Sequence, residues 1–217
     1  METLPRSFRD PDGVTLDDGI AFLRLLTSSG EAKIDALNSS SAAKALVQRG
    51  QMIATEKLDG AELEAARTRV TGDWVAAVRH PRLQFMSFAH EWPATMLHAA
   101  GLLTLDIAEH LLAEDKGLKD ASPYNVGFKG PVPIFLDVLS IETRGPTDPI
   151  WRAEAQFVRN FLLPLMCAKH FGIPAHSLLL RGPDTVTPEA VYKIAGSLRR
   201  LFPPFLWWVT LPAWLGA

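Results

Sequence analysis

The most regular hydrophobic pattern in the chain lies in the segment ATMLHAAGLLTLDIAEHLLA, residues 94–113. Apolar residues recur in it every three or four positions, at Met96, Ala100, Leu103, Ile107 and Leu111. An α-helix of about 3.6 residues per turn places all of them on one face, so the pattern predicts a long helix with that face buried. Gly117 follows as the expected C-terminal stop.

Before this helix, the pattern changes over short distances and predicts a small α+β unit. GIAFLRLL has the length and apolar content of a strand, and SGEAKIDALNSSSAAKALVQRG predicts one or two short helices that end at Gly50. QMIATEKL alternates as a strand does, and LDGAELEAARTRV has helical spacing. RLQFMSFAHEWP predicts a buried strand that turns before Pro93. The predicted boundary of this unit lies near residue 85.

A turn and two short strands follow the long helix. The letters SPYN predict a turn, because Pro123 fixes one backbone angle and Ser122 and Asn125 can bond nearby backbone groups. NVGF and PIFLDVLSI then predict two strands that pair as a hairpin.

Helical patterns dominate the rest of the chain. The segment WRAEAQFVRNFLLPLMC has a predicted core face of Phe157, Phe161 and Leu165. The sequence as a whole therefore predicts an α+β protein. The predicted protein has a small N-terminal α/β lobe at residues 1–85 and a larger, mainly helical C-terminal lobe at residues 86–217.

Composition and charge argue against a disulfide-stabilised protein and against a nucleic-acid-binding protein. The 217 residues are 47% hydrophobic, enough to bury a sizeable core without disulfides, and the net charge of −2 provides no basic surface for nucleic acid. Cys167, the single cysteine, lies in an apolar helical segment and is interpreted as a buried structural thiol. The N-terminus carries no apolar signal segment, so the sequence predicts a cytoplasmic protein.

Three residues with oxygen-bearing side chains surround the predicted turn. Asp120 precedes Asn125 by five positions, and Asp137 follows at the end of the hairpin. Carboxylate and carboxamide oxygens are ligands that Mg²⁺ accepts from proteins when substrate phosphates complete its shell. The hairpin is expected to return Asp137 beside Asn125, so the sequence predicts one cleft that holds all three side chains.

The order of long helix, Asp-containing loop, strand, turn, strand and Asp resembles the C-terminal lobe of the protein-kinase-like fold, which includes aminoglycoside phosphotransferases. The resemblance implies a two-lobed fold that uses Mg²⁺ and ATP. By position, Asp120 is the candidate catalytic base, and Asn125 and Asp137 are the candidate metal ligands. Lys119 and Glu91 are candidate hinge or substrate contacts; the alternative for Glu91 is a structural bond to backbone amides.

The chain departs from the kinase pattern at several points. Leu118 and Lys119 stand in place of the dyad before the catalytic Asp, DVLS replaces Asp-Phe-Gly, and no G-x-G-x-x-G segment occurs. Arg24 and Lys57 are the candidates for a cation that contacts phosphate, and a solvated side chain is the alternative for each. These departures favour a degenerate, pseudokinase-like module.

Four separated segments resemble a second family: HEWPATMLHAAGLLTLDIAEHLL, GLKDASPYNVGF, PIFLDVLSIE and PIWRAEAQFVRNFLLPLMC. They are similar to the N-terminal region of the bacterial family related to the host-specific nodulation protein NoeA, whose longer members are classed as S-adenosylmethionine-dependent methyltransferases. The resemblance, over residues 85–167, implies that the methyltransferase chemistry belongs to a downstream domain. This chain has no strand followed by a glycine-rich turn, so S-adenosylmethionine is not expected to bind it alone.

The C-terminal segment LFPPFLWWVTLPAWLGA carries three of the six tryptophans. It is too short to span a bilayer, and its prolines disfavour the amphipathic helix of an interfacial anchor, so membrane binding is not expected. An apolar surface of this kind is more often covered by protein. Residues 203–217 are therefore predicted to bury against a partner, namely a methyltransferase domain or chain or a second copy of this chain, or against the chain's own C-terminal lobe.

Three function classes stay open at this point. The first is a non-catalytic module that presents a substrate or partner to a methyltransferase. The second is a Mg-nucleotide-dependent phosphotransferase for a small molecule, in which Asp120 orients the acceptor hydroxyl. The third is a structural interaction domain in which Asp120 and Asn125 only stabilise a turn. The missing glycine-rich loop and lysine favour the first class over the second, and the retained acids favour it over the third.

Overall fold

The chain folds into an antiparallel sheet interleaved with short helices, followed by a mainly helical region. A computed structural model describes residues 2–3, 11–145, 147–180, 182 and 186–216. Parts of the predicted units, residues 4–10 and residue 217, lie outside this description. The strands are β1 (Glu2–Thr3), β2 (Gly13–Asp17), β3 (Ala21–Leu26), β4 (Glu56–Lys57), β5 (Ala76–Pro81), β6 (Lys116–Leu118), β7 (Val126–Lys129), β8 (Val132–Phe135) and β9 (Ile141–Thr143). The helices are α1 (Ser28–Ser39), α2 (Ser41–Gln48), α3 (Gly60–Arg67), α4 (Ala94–Leu112), α5 (Glu154–Phe157), α6 (Leu163–Phe171), α7 (Ala175–Leu179), α8 (Pro188–Ile194) and α9 (Leu211–Leu215).

The five-stranded sheet has the order β1-β2-β3-β5-β4, and neighbouring strands are antiparallel. Side chains alternate between its two faces. Leu23 and Leu25 of β3 face a small core that also contains Trp74. Leu26 faces the main core, and Arg24, two residues earlier on β3, lies on that same side of the sheet. The sheet therefore directs one cation toward the helical region.

Helix α4 forms the centre of the main core, as its periodicity predicts. Its buried residues are Leu97, Ala100, Gly101, Leu103, Thr104, Ile107 and Leu111. Met96 packs only partly buried at the margin of this core. The predicted stop at Gly117 is wrong, because the helix ends at Leu112 and Asp115 adopts the left-handed conformation with φ of 52°. Aspartate tolerates that conformation because its short side chain can bond locally, and Gly117 lies inside β6.

The predicted hairpin forms after α4, but its second strand ends at Phe135 and a 3-10 turn, Val138–Ser140, follows. The sequence did not predict β6 and β9. β7 and β8 form an antiparallel hairpin, and β9 pairs antiparallel with β6. The turn before β7 is a 3-10 turn, Pro123–Asn125, in which the Ser122 hydroxyl accepts the Tyr124 N–H at 3.3 Å. Turn and hairpin together fix the path of the chain between Asp120 and Asp137.

The strand predicted in RLQFMSFAHEWP is wrong. The strand in this region is β5, and residues 82–88 form an irregular connection in which Phe85 is 74% exposed. Ala76 and Ala77 of β5 have low intrinsic strand propensity. They are nevertheless fully buried between the two cores, so tertiary contacts and not local pattern place this strand.

The strand predicted in QMIATEKL is much shorter than expected. Only Glu56–Lys57 belongs to the sheet, and Met52 makes a single parallel bridge to Phe135 of β8. The N–H of Ile53 donates to the carbonyl of Phe135 at 2.9 Å, and the N–H of Phe135 donates to Gln51 at 2.9 Å. The first part of the segment is therefore tied to the hairpin and not to the sheet.

Two prolines lie inside helical segments. Pro164 follows the π turn Val158–Leu162 between α5 and α6, and Pro212 follows the π turn Leu206–Thr210 before α9. Proline lacks the N–H of an α-helical bond, and its ring clashes with the carbonyl four residues earlier. The wider i→i+5 turn relieves that clash. The chain therefore stays helical at Pro212, near the C-terminus.

The chain is an α+β protein, with half of it helical (50%) and a smaller share in strands (17%). Its main core includes Leu26 and Leu46 from the region before residue 85 and Ile107 and Phe161 from the region after it. Both predicted lobes thus contribute to one core, and the division at residue 85 stays a prediction.

Candidate functional site

The β7–β8 hairpin returns the chain from Asp137 to Asn125. Val126 pairs with Phe135 in the hairpin register, and the N–H of Leu136 donates to the Asn125 carbonyl at 2.8 Å. Asp137 is the next residue, so it leaves the hairpin directly beside the turn that holds Asn125. Whether all three predicted site residues lie together then depends on the position of the loop that carries Asp120.

Asp120 enters through the loop between β6 and the 3-10 turn. The Asn125 side-chain amide donates to the Asp120 carbonyl at 3.5 Å. The N–H of Lys119 donates to the Ser140 carbonyl at 2.7 Å, and the Ser140 hydroxyl donates to the Asp137 carbonyl at 2.7 Å. The structure therefore brings Asp120, Asn125 and Asp137 into one loop cluster, through bonds made largely by their backbones.

The two acids of this cluster have different charged neighbours. Oδ2 of Asp120 lies 3.9 Å from Nζ of Lys119, and both side chains are more than 40% exposed (41% and 46%), so water screens this pair. Oδ1 of Asp137 lies 3.6 Å from Nη1 of Arg24, whose side chain is only 12% exposed. The stronger pairing therefore belongs to Asp137, with a cation from the third strand.

His80 of β5 completes the polar part of the sheet face near Arg24. Burial and, to a smaller extent, the charge of Arg24 together lower the pKa of His80 to about 4, although a hydrogen bond with the Ala54 carbonyl opposes the shift. Its Nδ1 lies 3.2 Å from the Ala54 carbonyl and 3.3 Å from the Thr55 hydroxyl. The imidazole is therefore neutral at physiological pH. No sequence signal indicates this residue, because only the β3–β5 register brings it near Arg24.

Lys57 and Glu91 make structural contacts. Hydrogen bonds to Glu31 and Asp35 of α1 raise the pKa of Lys57. The carboxylate of Glu91 accepts the N–H of Phe88 at 2.7 Å and so stabilises its own 3-10 turn, Ala89–Glu91. This is the backbone-binding alternative considered from the sequence.

A metal site of several acids is not formed by the described residues. Within them, no group of three or more His, Cys, Asp or Glu side chains is placed to hold a metal ion. The cluster instead offers two carboxylates and the carboxamide of Asn125, a donor set that suits Mg²⁺ only when a phosphate ligand completes it. Cys167 is buried, and burial raises the pKa of its thiol to about 11, which fits a structural role.

Two cavities lie away from this cluster. One, of about 400 Å³, is formed by α1, α2 and residues 52–55. The other, of about 570 Å³, is an open groove between α4 and Val132 and Pro133 of β8. Neither is lined by Asp120, Asn125 or Asp137.

The whole chain is similar to a known protein. No protein-family model matches the chain. Nodulation protein NoeA of Rhizobium meliloti (strain 1021) is 32% identical to it over 209 residues, which cover 95% of this chain and 42% of NoeA. The chain belongs to a NoeA-like family. This match confirms the resemblance predicted from four segments between residues 85 and 167. It extends the resemblance to 95% of this chain.

The NoeA-like chain spans less than half the length of its curated relative. The role of NoeA as a nodulation protein is therefore a property of a longer polypeptide. Among the residues that the structure describes, no helix is both long and apolar enough to cross a membrane.

Proposed function

We propose that this NoeA-like chain is a non-catalytic binding module of a methyltransferase-type protein, with a kinase-like two-lobed fold. The module presents a substrate or a partner, and S-adenosylmethionine binds elsewhere in the protein. The element order supports the fold: an antiparallel sheet, the helix α4, the Asp120 loop, the β7–β8 hairpin and Asp137 follow one another as in that superfamily.

The ion pair between Arg24 and Asp137 carries this proposal. In active kinases, an Asp at this position binds Mg²⁺, and a third-strand lysine contacts the nucleotide phosphates and pairs with a helix glutamate. Here β3 carries Arg24 instead, with Nη1 3.6 Å from the Asp137 carboxylate. The guanidinium supplies the positive charge that a metal ion would bring to Asp137.

The acids on the helix after β3 are also paired differently from those of active kinases. Glu31 of α1 lies 2.7 Å from Nζ of Lys57, and Asp35 lies 2.9 Å from the same atom. Lys57 belongs to β4 and is held against α1 by these two bonds. Lys57 therefore pairs with a glutamate of this helix, but from β4 and not from the strand before the helix, where an active phosphotransferase of this type carries its lysine.

A Mg-nucleotide-dependent phosphotransferase is the second candidate function. The loop cluster favours it, because Asp120, Asn125 and Asp137 lie together and the Asp120 side chain is 41% exposed to an incoming hydroxyl. In that case Mg²⁺ carried by a nucleotide displaces Arg24 from Asp137.

Thermal unfolding with Mg²⁺, Mn²⁺ and their ATP complexes separates the two candidates. We expect no change in melting temperature for the wild-type chain, because Arg24 already neutralises Asp137. The phosphotransferase predicts instead a stabilisation of about 2.7 kcal/mol at 100 times the dissociation constant. It also predicts that Asp137→Asn abolishes that gain. Such a pair of results would overturn the proposed non-catalytic role.

The apolar C-terminal face is the proposed contact for the rest of a longer protein. We define this face as Leu198, Leu201, Phe202, Trp207, Trp214 and Leu215, which are all at least 59% exposed. Exposed apolar patches mark protein contacts, and the NoeA relative has further sequence beyond the part that this chain matches. We propose that a methyltransferase-type part of such a protein covers this face, with a second copy of the chain as the alternative partner.

Point substitutions test this face better than deletion of residues 203–217, because Phe205 and Val209 of that segment are buried in the chain's own second core. Replacing both Trp207 and Trp214 by serine should weaken binding to the remaining part of a NoeA-like protein by about 30-fold or more. The measurement is analytical ultracentrifugation of the chain alone and of the mixture.

Stability provides the control for the tryptophan variants. Both side chains are 59% exposed, so the free energy of unfolding should change by less than about 1 kcal/mol. Ile150→Ser, at a residue that is 64% exposed outside the face, should leave association unchanged. Equal association of the wild type and the double variant would contradict the proposed contact.

A further inference from the structure

The cavity between α1, α2 and residues 52–55 has the size and lining of a ligand pocket. Its volume of about 400 Å³ lies within the usual range for small-molecule sites, about 300 to 1,000 Å³. Its apolar lining includes Leu37, Ala43, Val47, Met52 and Ile53. A surface of this composition favours an apolar ligand body, because covering it removes apolar area from water.

The floor of this pocket is held in place without a ligand. Ile53 and Phe135 are joined by a backbone hydrogen bond of 2.9 Å, and Met52 bridges to the same strand. Thr55 at the other end of the floor contacts Nδ1 of His80 at 3.3 Å. A preformed floor lowers the ordering cost of binding.

The rim of the pocket carries three polar side chains. Asn38, Lys44 and Gln48 are exposed, and their side chains form no hydrogen bond or ion pair with the other residues that the structure describes. One is an ammonium group, and the other two carry amide N–H donors. The positive charge of Lys44 therefore makes the rim more favourable to an anionic oxygen group than to a cationic amine, and the amide N–H groups can add hydrogen bonds to the anion.

We propose that this pocket binds a small amphipathic carboxylate, with the alkyl or aryl body on the apolar floor and the carboxylate at Lys44. The site lies outside the Asp120 cluster, so the inference does not depend on the proposed function above. Its floor is bonded to β8, the strand that leads to Asp137, so the pocket and the cluster share one structural element.

Titration of the full chain with octanoate, followed by backbone amide NMR, tests this inference. Octanoate has ten heavy atoms, and at about 0.4 kcal/mol per atom its dissociation constant should be near 1 mM. Shifts should concentrate in α1, α2 and residues 52–55. Octylamine, with the same body and the opposite charge, should bind about tenfold more weakly.

Variants separate the pocket from nonspecific apolar binding. Lys44→Glu should weaken octanoate binding about tenfold, and Val47→Trp should abolish it by filling the pocket. Ala54→Trp, at an exposed lining position, serves the same purpose if Val47→Trp does not fold. Lys129→Glu, at an exposed lysine on β7, is the matched control and should leave the affinity for octanoate unchanged. Absence of saturable binding, equal affinity for octylamine, or shifts centred on the apolar C-terminal face would overturn the proposal.

Discussion

Replacing Leu103 by alanine should lower the free energy of unfolding by about 2 to 5 kcal/mol. Leu103 is 5% exposed on the buried face of α4 and belongs to the main core. The substitution removes buried methyl groups and leaves a cavity that a close-packed interior closes only in part. Urea or thermal unfolding measured by circular dichroism provides the value.

Leu102→Ala is the matched control for this prediction. Leu102 is the neighbouring residue of the same type on the same helix, but it is 54% exposed. Both variants gain the same helix propensity, so their difference reports burial alone. We expect Leu102→Ala to change stability by less than about 0.5 kcal/mol. Equal effects of the two substitutions would show that this face of α4 is not the centre of the core.

Glu114→Gln should destabilise the chain by about 2 kcal/mol at pH 7. The carboxylate lies at the N-terminus of α2, where it accepts the N–H of Ala42 at 2.8 Å, and it also contacts Lys116 at 3.2 Å. It thereby joins the end of α4 to a helix of the N-terminal region. The hydroxyls of Ser40 and Ser41, followed by the Ala42 N–H, lower the pKa of Glu114 from 4.5 to about 2.

The effect of Glu114→Gln should disappear in acid. A carboxylate whose pKa is lower in the folded state stabilises the fold fully above its unfolded pKa and loses that contribution as the pH falls toward the folded value. The wild type and the variant should therefore differ most above about pH 5 and converge between pH 4.5 and about 2. Denaturant midpoints measured across this range provide the test.

Glu64→Gln is the control for the pH series. Glu64 pairs with Arg67 on the same helix, and its side chain is 67% exposed. Such pairs contribute little because water screens them, so we expect a change below about 0.5 kcal/mol at every pH. A constant difference between wild type and Glu114→Gln from pH 7 to pH 3 would contradict the role given to the Glu114 charge.

Sequence spacing predicted part of the candidate site but not all of its contacts. The five-residue spacing of Asp120 and Asn125 and the two short apolar runs before Asp137 were enough to predict that their chain segments meet, because a hairpin has a fixed geometry. The partner of Asp137 was not predictable from spacing. Arg24 is more than a hundred positions away, and only the fold brings it to 3.6 Å.

The sequence by itself determined the elements whose signal is local. Helix α4, the helices α1 and α2, the Ser122 turn and the β7–β8 hairpin follow from periodicity and turn chemistry, which act within a few residues. Only the tertiary structure decided the rest. The alanine-rich strand β5 forms because two cores bury it. Pro164 and Pro212 lie in helical segments because a π turn precedes each of them and packing holds the neighbouring residues in place. These outcomes depend on contacts between distant segments, which hydrophobic spacing along the chain does not encode.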